Sequence, residues 1–214
     1  SAGSNIEVSS LPDKRYYQVL VSTLDGTSNS SATLRLGSGS VDSGSNYSYR
    51  FSRDGGSEDV GNTRSLIAGQ VAPNAGNSFD NYFIANKSNK EKLIIGHGTN
   101  NQGSGAGTAP RRTEIAGKWS NTSDALDTIS IHNDDSGNFG SGSECVVLGW
   151  DPSDTHTTNF WEPLASVELS SSGDLLDSGT FTAKKYLWCQ IYTKNSGTIN
   201  HALRYNGDTG NNYS

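Results

Sequence analysis

Residues 1–23, SAGSNIEVSSLPDKRYYQVLVST, decide how the chain is interpreted, because they end in a strand pattern that returns later in the sequence. YYQVLV (16–21) is a short apolar run of aromatic and β-branched residues, and the turn-forming LDGTSN (24–29) follows it. Short apolar runs between clusters of Gly, Asn, Asp and Ser are typical of β-strands joined by tight turns. The stretch therefore predicts an all-β protein.

The rest of the chain has the same character. Only 32% of the 214 residues are hydrophobic, yet they gather in short clusters such as KLIIG (92–96), CVVLGW (145–150) and KKYLWCQIY (184–192). Disordered chains lack such clusters, and no window has the pattern of a long amphipathic helix. We predict an ordered, loop-rich β protein.

Charge and hydropathy exclude two classes of partner. The net charge of −6 predicts no nucleic-acid binding, which normally needs a basic surface. No run approaches the roughly 18 apolar residues of a membrane span. The two cysteines, Cys145 and Cys189, both lie in apolar runs. They are either bonded to each other or two buried thiols of the core.

The sequence also predicts no catalytic residue and no enzymatic activity. The four histidines, His97, His132, His156 and His201, show no metal-ligand spacing. No nucleophile elbow or phosphate-binding loop occurs, because the Gly/Ser-rich segments resemble ordinary turns.

Strands are predicted at 15–23, 31–36, 46–53, 65–71, 79–86, 91–97, 112–119, 127–132 and 144–149. Short strands at this spacing with Gly-rich turns indicate a jelly-roll-like β-sandwich. Alternation within the strands predicts a set of inward-facing residues: Tyr17, Val19, Val21, Leu34, Leu93, Ile95, Trp119, Ile129, Ile131, Val146 and Leu148.

A diverged repeat relates the beginning of the chain to its end. Residues 1–23 align without a gap with SSGDLLDSGTFTAKKYLWCQIYT (171–193), and LRLGSGSVDSGSNYS (34–48) then aligns with LRYNGDTGNNYS (203–214). Repeats of this kind indicate modules built from one structural unit. We predict a β-sandwich module at 1–151, a Pro-bounded linker at 152–163, and a partial second copy, with the first strands of the module, at 164–214.

The alignment predicts an incomplete first module. LASVELS (164–170) has strand alternation and precedes the repeated region, so the first copy is expected to be short of its first strand. Open strand edges recruit strands from other chains. We therefore predict a homo-oligomer or filament formed by strand exchange between copies or adjoining modules, through an assembly interface that contains Leu164, Val167, Leu169, Leu187, Trp188 and Ile191.

Two ligand hypotheses accompany this prediction. Calcium is a candidate cofactor at NGDTGNN (206–212), through Asn206, Asp208 and Asn211, because Asn and Asp oxygens surround Gly there. Tight turns use the same residues, and the turn is the favoured interpretation. Trp161, in the linker, is a candidate contact for a surface glycan, so the alternative function is a carbohydrate-binding or adhesion module on a phage or cell surface.

Four segments resemble a known family of proteins: KEKLIIGH (90–97), APRRTEIAGKWSNTSDALDTISI (109–131), GSGSECVVLGWDP (140–152) and LRYNGDTGNNYS (203–214). The family consists of tandem β-modules in predicted structural proteins of tailed phages, mostly marine and environmental. The resemblance implies a non-enzymatic component of a virion, tail or extracellular fibre, with a virion or extracellular location.

Overall fold

The structure, a computed structural model, describes residues 3–24, 30–69, 71–72, 76–103, 106–155, 162–184, 187–194, 197–198 and 200–210. Within these ranges the protein is all-β and contains no helix, hence none that could span a membrane. The strands are β1 (Asn5–Val8), β2 (Tyr16–Leu24), β3 (Ser30–Gly37), β4 (Tyr47–Arg53), β5 (Asp59–Arg64), β6 (Val71–Ala72), β7 (Asn77–Ala85), β8 (Lys92–Asn100), β9 (Arg111–Trp119), β10 (Thr128–Asn133) and β11 (Glu144–Trp150).

The strands form two antiparallel sheets. The small sheet has the order β1-β10-β3-β6, and the large sheet has the order β11-β2-β7-β8-β9-β4-β5. All the described pairings are antiparallel, with β2 in continuous register against β7 from Tyr16–Ala85 to Leu24–Asn77. The predicted β-sandwich is confirmed, and the jelly-roll arrangement stays a prediction.

The core lies between the two sheets and follows from strand alternation. In β2 every second residue is buried, beginning at Tyr17, while its neighbours face outward. The small sheet contributes Leu34, Leu36, Ile129 and Ile131, all fully buried. Because an antiparallel sheet buries one face of each strand, this period of two is the pattern that the sequence predicts for a sandwich.

Of the nine strands predicted within residues 1–151, eight are formed and one is not. Where a strand was predicted at 65–71, the structure has the two-residue β6 and an isolated bridge between Leu34 and Ile67. Two strands were not predicted, β1 and β5. β1 has only four residues, and β5 (DVGNTR) is polar because it lies at the edge of the large sheet.

Four of the predicted inward residues face outward instead. Leu93 and Ile95 lie on the exposed face of β8, and Val146 and Leu148 lie on the exposed face of β11. LII and CVVL are apolar at consecutive positions, so alternation cannot tell which residue faces the core. A shift of one residue moves every side chain to the other face.

The predicted linker begins with an anchored turn. Lys14 Nζ lies 3.1 Å from Asp151 Oδ2 and 2.9 Å from Asp154 Oδ2, and the Arg15 N–H donates to Asp151 Oδ1 at 2.7 Å. These carboxylates raise the pKa of Lys14, and the hydrogen bond that Lys14 donates to Asp154 contributes most. The end of β11 is thereby tied to the start of β2.

The chain divides into two compact units, residues 1–181 and 182–214. In the second unit the described residues form no strand, and the strand predicted at 164–170, which belongs to the first unit, is not formed either. That prediction was wrong for the isolated chain. A strand requires a partner for its backbone hydrogen bonds, and no described segment pairs with residues 162–170.

Candidate assembly interface

One side of the sandwich presents the edges of both sheets. β1 ends the small sheet and β11 ends the large sheet, and the two strands contact each other there. Between them, three half-buried apolar side chains pack against the core: Ile6, Cys145 and Val147. Ile6 and Val8 alternate with the exposed Asn5 and Glu7. We call this side, lined by β1 and β11, the open seam.

The backbone of β1 has a defined free edge. The N–H of Asn133 donates to the carbonyl of Ser4 at 2.8 Å, and the register pairs Ile6 with Ile131. Because backbone groups alternate in direction along an antiparallel strand, Ser4, Ile6 and Val8 bond toward β10. The N–H and C=O groups of Asn5 and Glu7 therefore point away from the sheet, and no described strand pairs with them there.

The opposite edge of the large sheet has features that prevent another strand from pairing with it. Its edge strand β5 carries Asp59 and Arg64, and its pairing with β4 is irregular between Tyr47 and Tyr49. Charges and bulges are the usual devices that prevent pairing at a sheet edge. β11 has a charge only at its first residue, Glu144, carries neither a Lys nor a Pro, and has exposed Val146 and Leu148. The open seam is thus the sandwich side suited to strand addition.

The outer face of the large sheet is a second apolar surface. Ile95 is 62% exposed, and Phe79, Leu93, Val146 and Leu148 are also exposed on this face. The strand registers place Phe83 beside Ile95, and Leu20 beside Val146. Exposed apolar side chains grouped on one face of a sheet often mark interaction sites in soluble proteins. Sequence analysis missed this surface because it assigned four of these residues to the core.

The predicted interface residues of segment 164–170 are accessible, Leu164 less so than the others. Val167 and Leu169 are 44% and 43% exposed, and Leu164 is half-buried. Glu168 of the same segment pairs with Lys87 at 2.5 Å and with Arg15 at 3.7 Å. The hydrogen bond from Lys87, aided by the charges of Lys87 and Arg15, lowers the pKa of Glu168. Exposed ion pairs contribute little to the stability of a conformation, so this segment can be released.

The remaining predicted interface residues lie in the second unit. Leu187 and Ile191 are 51% and 54% exposed, and Trp188 is exposed to a similar extent. In the predicted 170-residue repeat, Leu187 and Ile191 align with the buried Tyr17 and Val21 of β2. Their exposure in the isolated chain supports their assignment to an interface, which stays a prediction.

The acidic turns have a structural explanation that does not need calcium. Asp42 Oδ1 accepts from the Gly44 N–H at 2.8 Å, while its Oδ2 accepts from Trp119 Nε1 at 2.7 Å and from Asn46 Nδ2 at 2.8 Å. Burial opposes ionisation of Asp42, but these hydrogen bonds outweigh it and lower the pKa of the carboxyl. The side chain closes the turn before β4.

The proposed calcium loop contains the same turn. Asp208 Oδ1 accepts from the Gly210 N–H at 2.8 Å, the distance found between Asp42 and Gly44. Asn206 has a positive φ of 53°, as turn residues of this type often do. Asn211 lies outside the described residues. In the part of the chain that the structure describes, no three His, Cys, Asp or Glu side chains are grouped to hold a metal ion.

The tryptophans and cysteines bear on the other hypotheses. Trp161, the candidate glycan contact, lies outside the described residues, as does His156. Trp119 is buried in the core, and Trp150 packs on Tyr16 with ring centroids 5.7 Å apart.

Both cysteines are free. Cys145 is half-buried, and burial raises its pKa to about 11, whereas Cys189 is exposed.

Comparison with known proteins places the chain in no family: no family model, no curated protein and no solved structure matches it. The sandwich and its exposed apolar surfaces therefore carry the functional argument, and the resemblance to phage modules remains an expectation.

Proposed function

We propose that the protein is a non-enzymatic structural component of a virion, tail or extracellular fibre that assembles through β-edge contacts between copies. One observation carries the proposal: exposed apolar side chains are concentrated on the outer face of the large sheet and in residues 164–210. A protein that works alone rarely leaves such surfaces uncovered. Burying apolar surface contributes roughly 25 cal/mol per Å² to association.

The repeat explains why the C-terminal residues are apolar yet without strands. Residues 175–178, 187–193 and 203–204 correspond to β1, β2 and β3 of the first copy. Leu203 and Leu187 would face the core of a second sandwich, as Leu34 and Tyr17 do in the first. The matching Asp–Gly turns at Asp42 and Asp208 support this correspondence. We infer that these segments complete their fold against other chains or modules.

We also infer that the sandwich is a jelly roll with an added hairpin. In an eight-stranded jelly roll the first, eighth, third and sixth strands adjoin in one sheet, and the second, seventh, fourth and fifth adjoin in the other. The small sheet has this order if β10 is the eighth strand. The large sheet has it if β8 and β9 are an insertion after β7 and β11 an addition beside β2. Jelly rolls are common in viral capsids, which agrees with the family resemblance.

Sedimentation velocity and electron microscopy test the proposed function directly. The purified chain is expected to sediment as larger species as its concentration rises, and to form particles or filaments visible in micrographs. Ile95→Glu and Val167→Asp, two substitutions at exposed positions that leave the core intact, are expected to reduce this assembly. Thr99→Glu, on the same strand as Ile95 and already polar, is the matched control. A chain that stays monomeric at every concentration would refute the proposal.

A further inference from the structure

We propose that residues 164–170 of a second copy pair with the free edge of β1 in antiparallel orientation. In this arrangement Val167 lies opposite Val8, and Leu169 lies opposite Ile6. The inference rests on the proposed function and identifies the contacting segment and its register.

The segment has the side-chain pattern that this edge requires. Ala165, Val167 and Leu169 alternate with Ser166, Glu168 and Ser170, so a strand formed here has one apolar and one polar face. On β1, Ile6 and Val8 are half-buried at the open seam while Asn5 and Glu7 face solvent. Adding the strand with its apolar face inward covers Ile6 and Val8 and continues the core by one strand.

The register follows from the second copy. There, residues 175–178 correspond to β1, and Ser-Ser-Gly-Asp (171–174) separates them from 164–170. The chain bends at Ser170, Ser171 and Asp174, and four-residue loops are common in β-hairpins. Such a hairpin pairs 170 with 175 and 167 with 178. The 170-residue repeat transfers these pairs to the first copy, where they become 170 with Asn5 and 167 with Val8.

The backbone of β1 agrees with this register. Its outward N–H and C=O groups belong to Asn5 and Glu7, so Glu7 exchanges hydrogen bonds with Glu168, and Asn5 does so with Ser170. Leu169–Ile6 and Val167–Val8 are then the non-hydrogen-bonded pairs, in which side chains approach closest, with Cα atoms about 4.5 Å apart. The apolar contacts thus fall at the positions that bring them nearest.

The negative charges of Glu7 and Glu168 oppose the proposed contact, so its affinity can be changed by substitution. Glu168 lies opposite Glu7 in the proposed pair, and in its own chain it is bound to Lys87 and Arg15. Like charges in facing positions weaken strand pairing. Glu7→Lys is therefore expected to tighten association by up to about fivefold, since facing pairs change the free energy by up to about 1 kcal/mol. A structural role of Glu7 within its own chain would not produce this gain.

Cross-linking between two differently tagged full-length chains tests the register. Both chains carry Cys145→Ser and Cys189→Ser, one adds Glu7→Cys, and the other adds Glu168→Cys. Facing residues in a hydrogen-bonded pair have Cα atoms about 5.5 Å apart, which suits a disulfide. Mild oxidation is expected to join the two tags. Glu144→Cys, an exposed position on the β11 edge, replaces Glu7→Cys in the matched control and should give at least tenfold less product.

The outcomes of this experiment distinguish failure of the proposed register from failure of the proposed function. Assembly of the wild-type chain without the 7–168 product, or with more of the 144–168 product, would overturn the inference and leave the proposed function standing. A single chain that carries both Glu7→Cys and Glu168→Cys, and in which these two cysteines join only within that chain, would also overturn it. Absence of any assembly would refute the proposed function itself. Preferential joining of the two tags, together with tighter association of Glu7→Lys, is the expected result.

Discussion

The two regions that the predicted repeat aligns have related sequences and different structures. In the first copy, Leu34 lies in β3 and is fully buried, whereas its counterpart Leu203 is 52% exposed and in no strand. The same contrast holds between β2 and residues 187–193. Local pattern is therefore not enough to form a strand. β2 forms because β11 and β7 satisfy its backbone on both sides.

The strongest test of this comparison is one substitution made at equivalent positions. Leu34→Ala removes a fully buried side chain and is expected to lower the free energy of unfolding by about 2–5 kcal/mol. Leu203→Ala removes an exposed one and is expected to change it by less than about 0.5 kcal/mol at low protein concentration. Urea unfolding measures both. Equal losses would show that Leu203 already lies in a core.

Two glycines, which are not equivalent positions of the repeat, give a second contrast between the two regions, with a smaller expected effect. A Cβ at Gly69 would lie 1.4 Å from the carbonyl oxygen of Ala32, so Gly69→Ala must displace backbone of the small sheet. Overpacking of this kind costs about 1–3 kcal/mol. A Cβ at Gly197 meets no atom within 4 Å. Gly197→Ala should leave the unfolding midpoint unchanged. A shift as large as that of Gly69→Ala would contradict the contrast between the two regions.

The two Asp–Gly turns provide a third pair. Asp42→Ala leaves the buried Trp119 N–H without its acceptor and is expected to destabilise the sandwich by about 1–3 kcal/mol. Asp208→Ala is expected to cost less than about 1 kcal/mol. Thermal unfolding distinguishes the two. Comparable losses would mean that the second turn closes a folded module in the isolated chain.

The ionisation of Asp42 adds a pH dependence to this pair. Its pKa is lowered in the folded protein, so the stabilisation is present above the unfolded pKa of about 3.9 and is lost as pH falls through the lower folded value. Asp42→Asn should therefore flatten the acid limb of the stability curve. An unchanged acid limb for Asp42→Asn would show that the carboxylate does not stabilise the turn.

The smallest effect concerns the two thiols and does not require unfolding. Cys145 is half-buried with its pKa raised to about 11, so little thiolate forms at neutral pH. Cys189 corresponds to the core residue Val19 but is exposed in the isolated chain. A thiol-specific reagent at pH 7.5 should modify Cys189 well before Cys145. Similar rates, or protection of Cys189 in dilute protein, would contradict the comparison.

Most of the sandwich could be predicted from sequence, because its strands alternate and Gly-rich turns separate them. The errors have physical causes. β5 is polar because it lies at a sheet edge, and β1 is too short for alternation to stand out. Leu93 and Ile95 were assigned to the wrong face because all residues of the run LII are apolar, so alternation does not show which of them face the core.

The candidate interface could be predicted only in part. Val167, Leu169, Leu187 and Ile191 were identified from the repeat and are exposed in the structure. The edge of β1 could not be identified, because a free edge depends on which strands adjoin it and not on the residues of the strand itself. The Asp42–Trp119 hydrogen bond could not be identified from sequence either, because it joins residues 77 positions apart.

Hydrogen exchange followed by mass spectrometry at rising protein concentration tests the central claim most directly. If assembly completes the second copy, amides in residues 164–170 and 187–193 should become protected as concentration rises, while those of β2 stay protected throughout. Residues 164–170 and 187–193 that remain unprotected in concentrated, assembled protein would contradict the account. Protection of both segments in dilute monomer would contradict it equally.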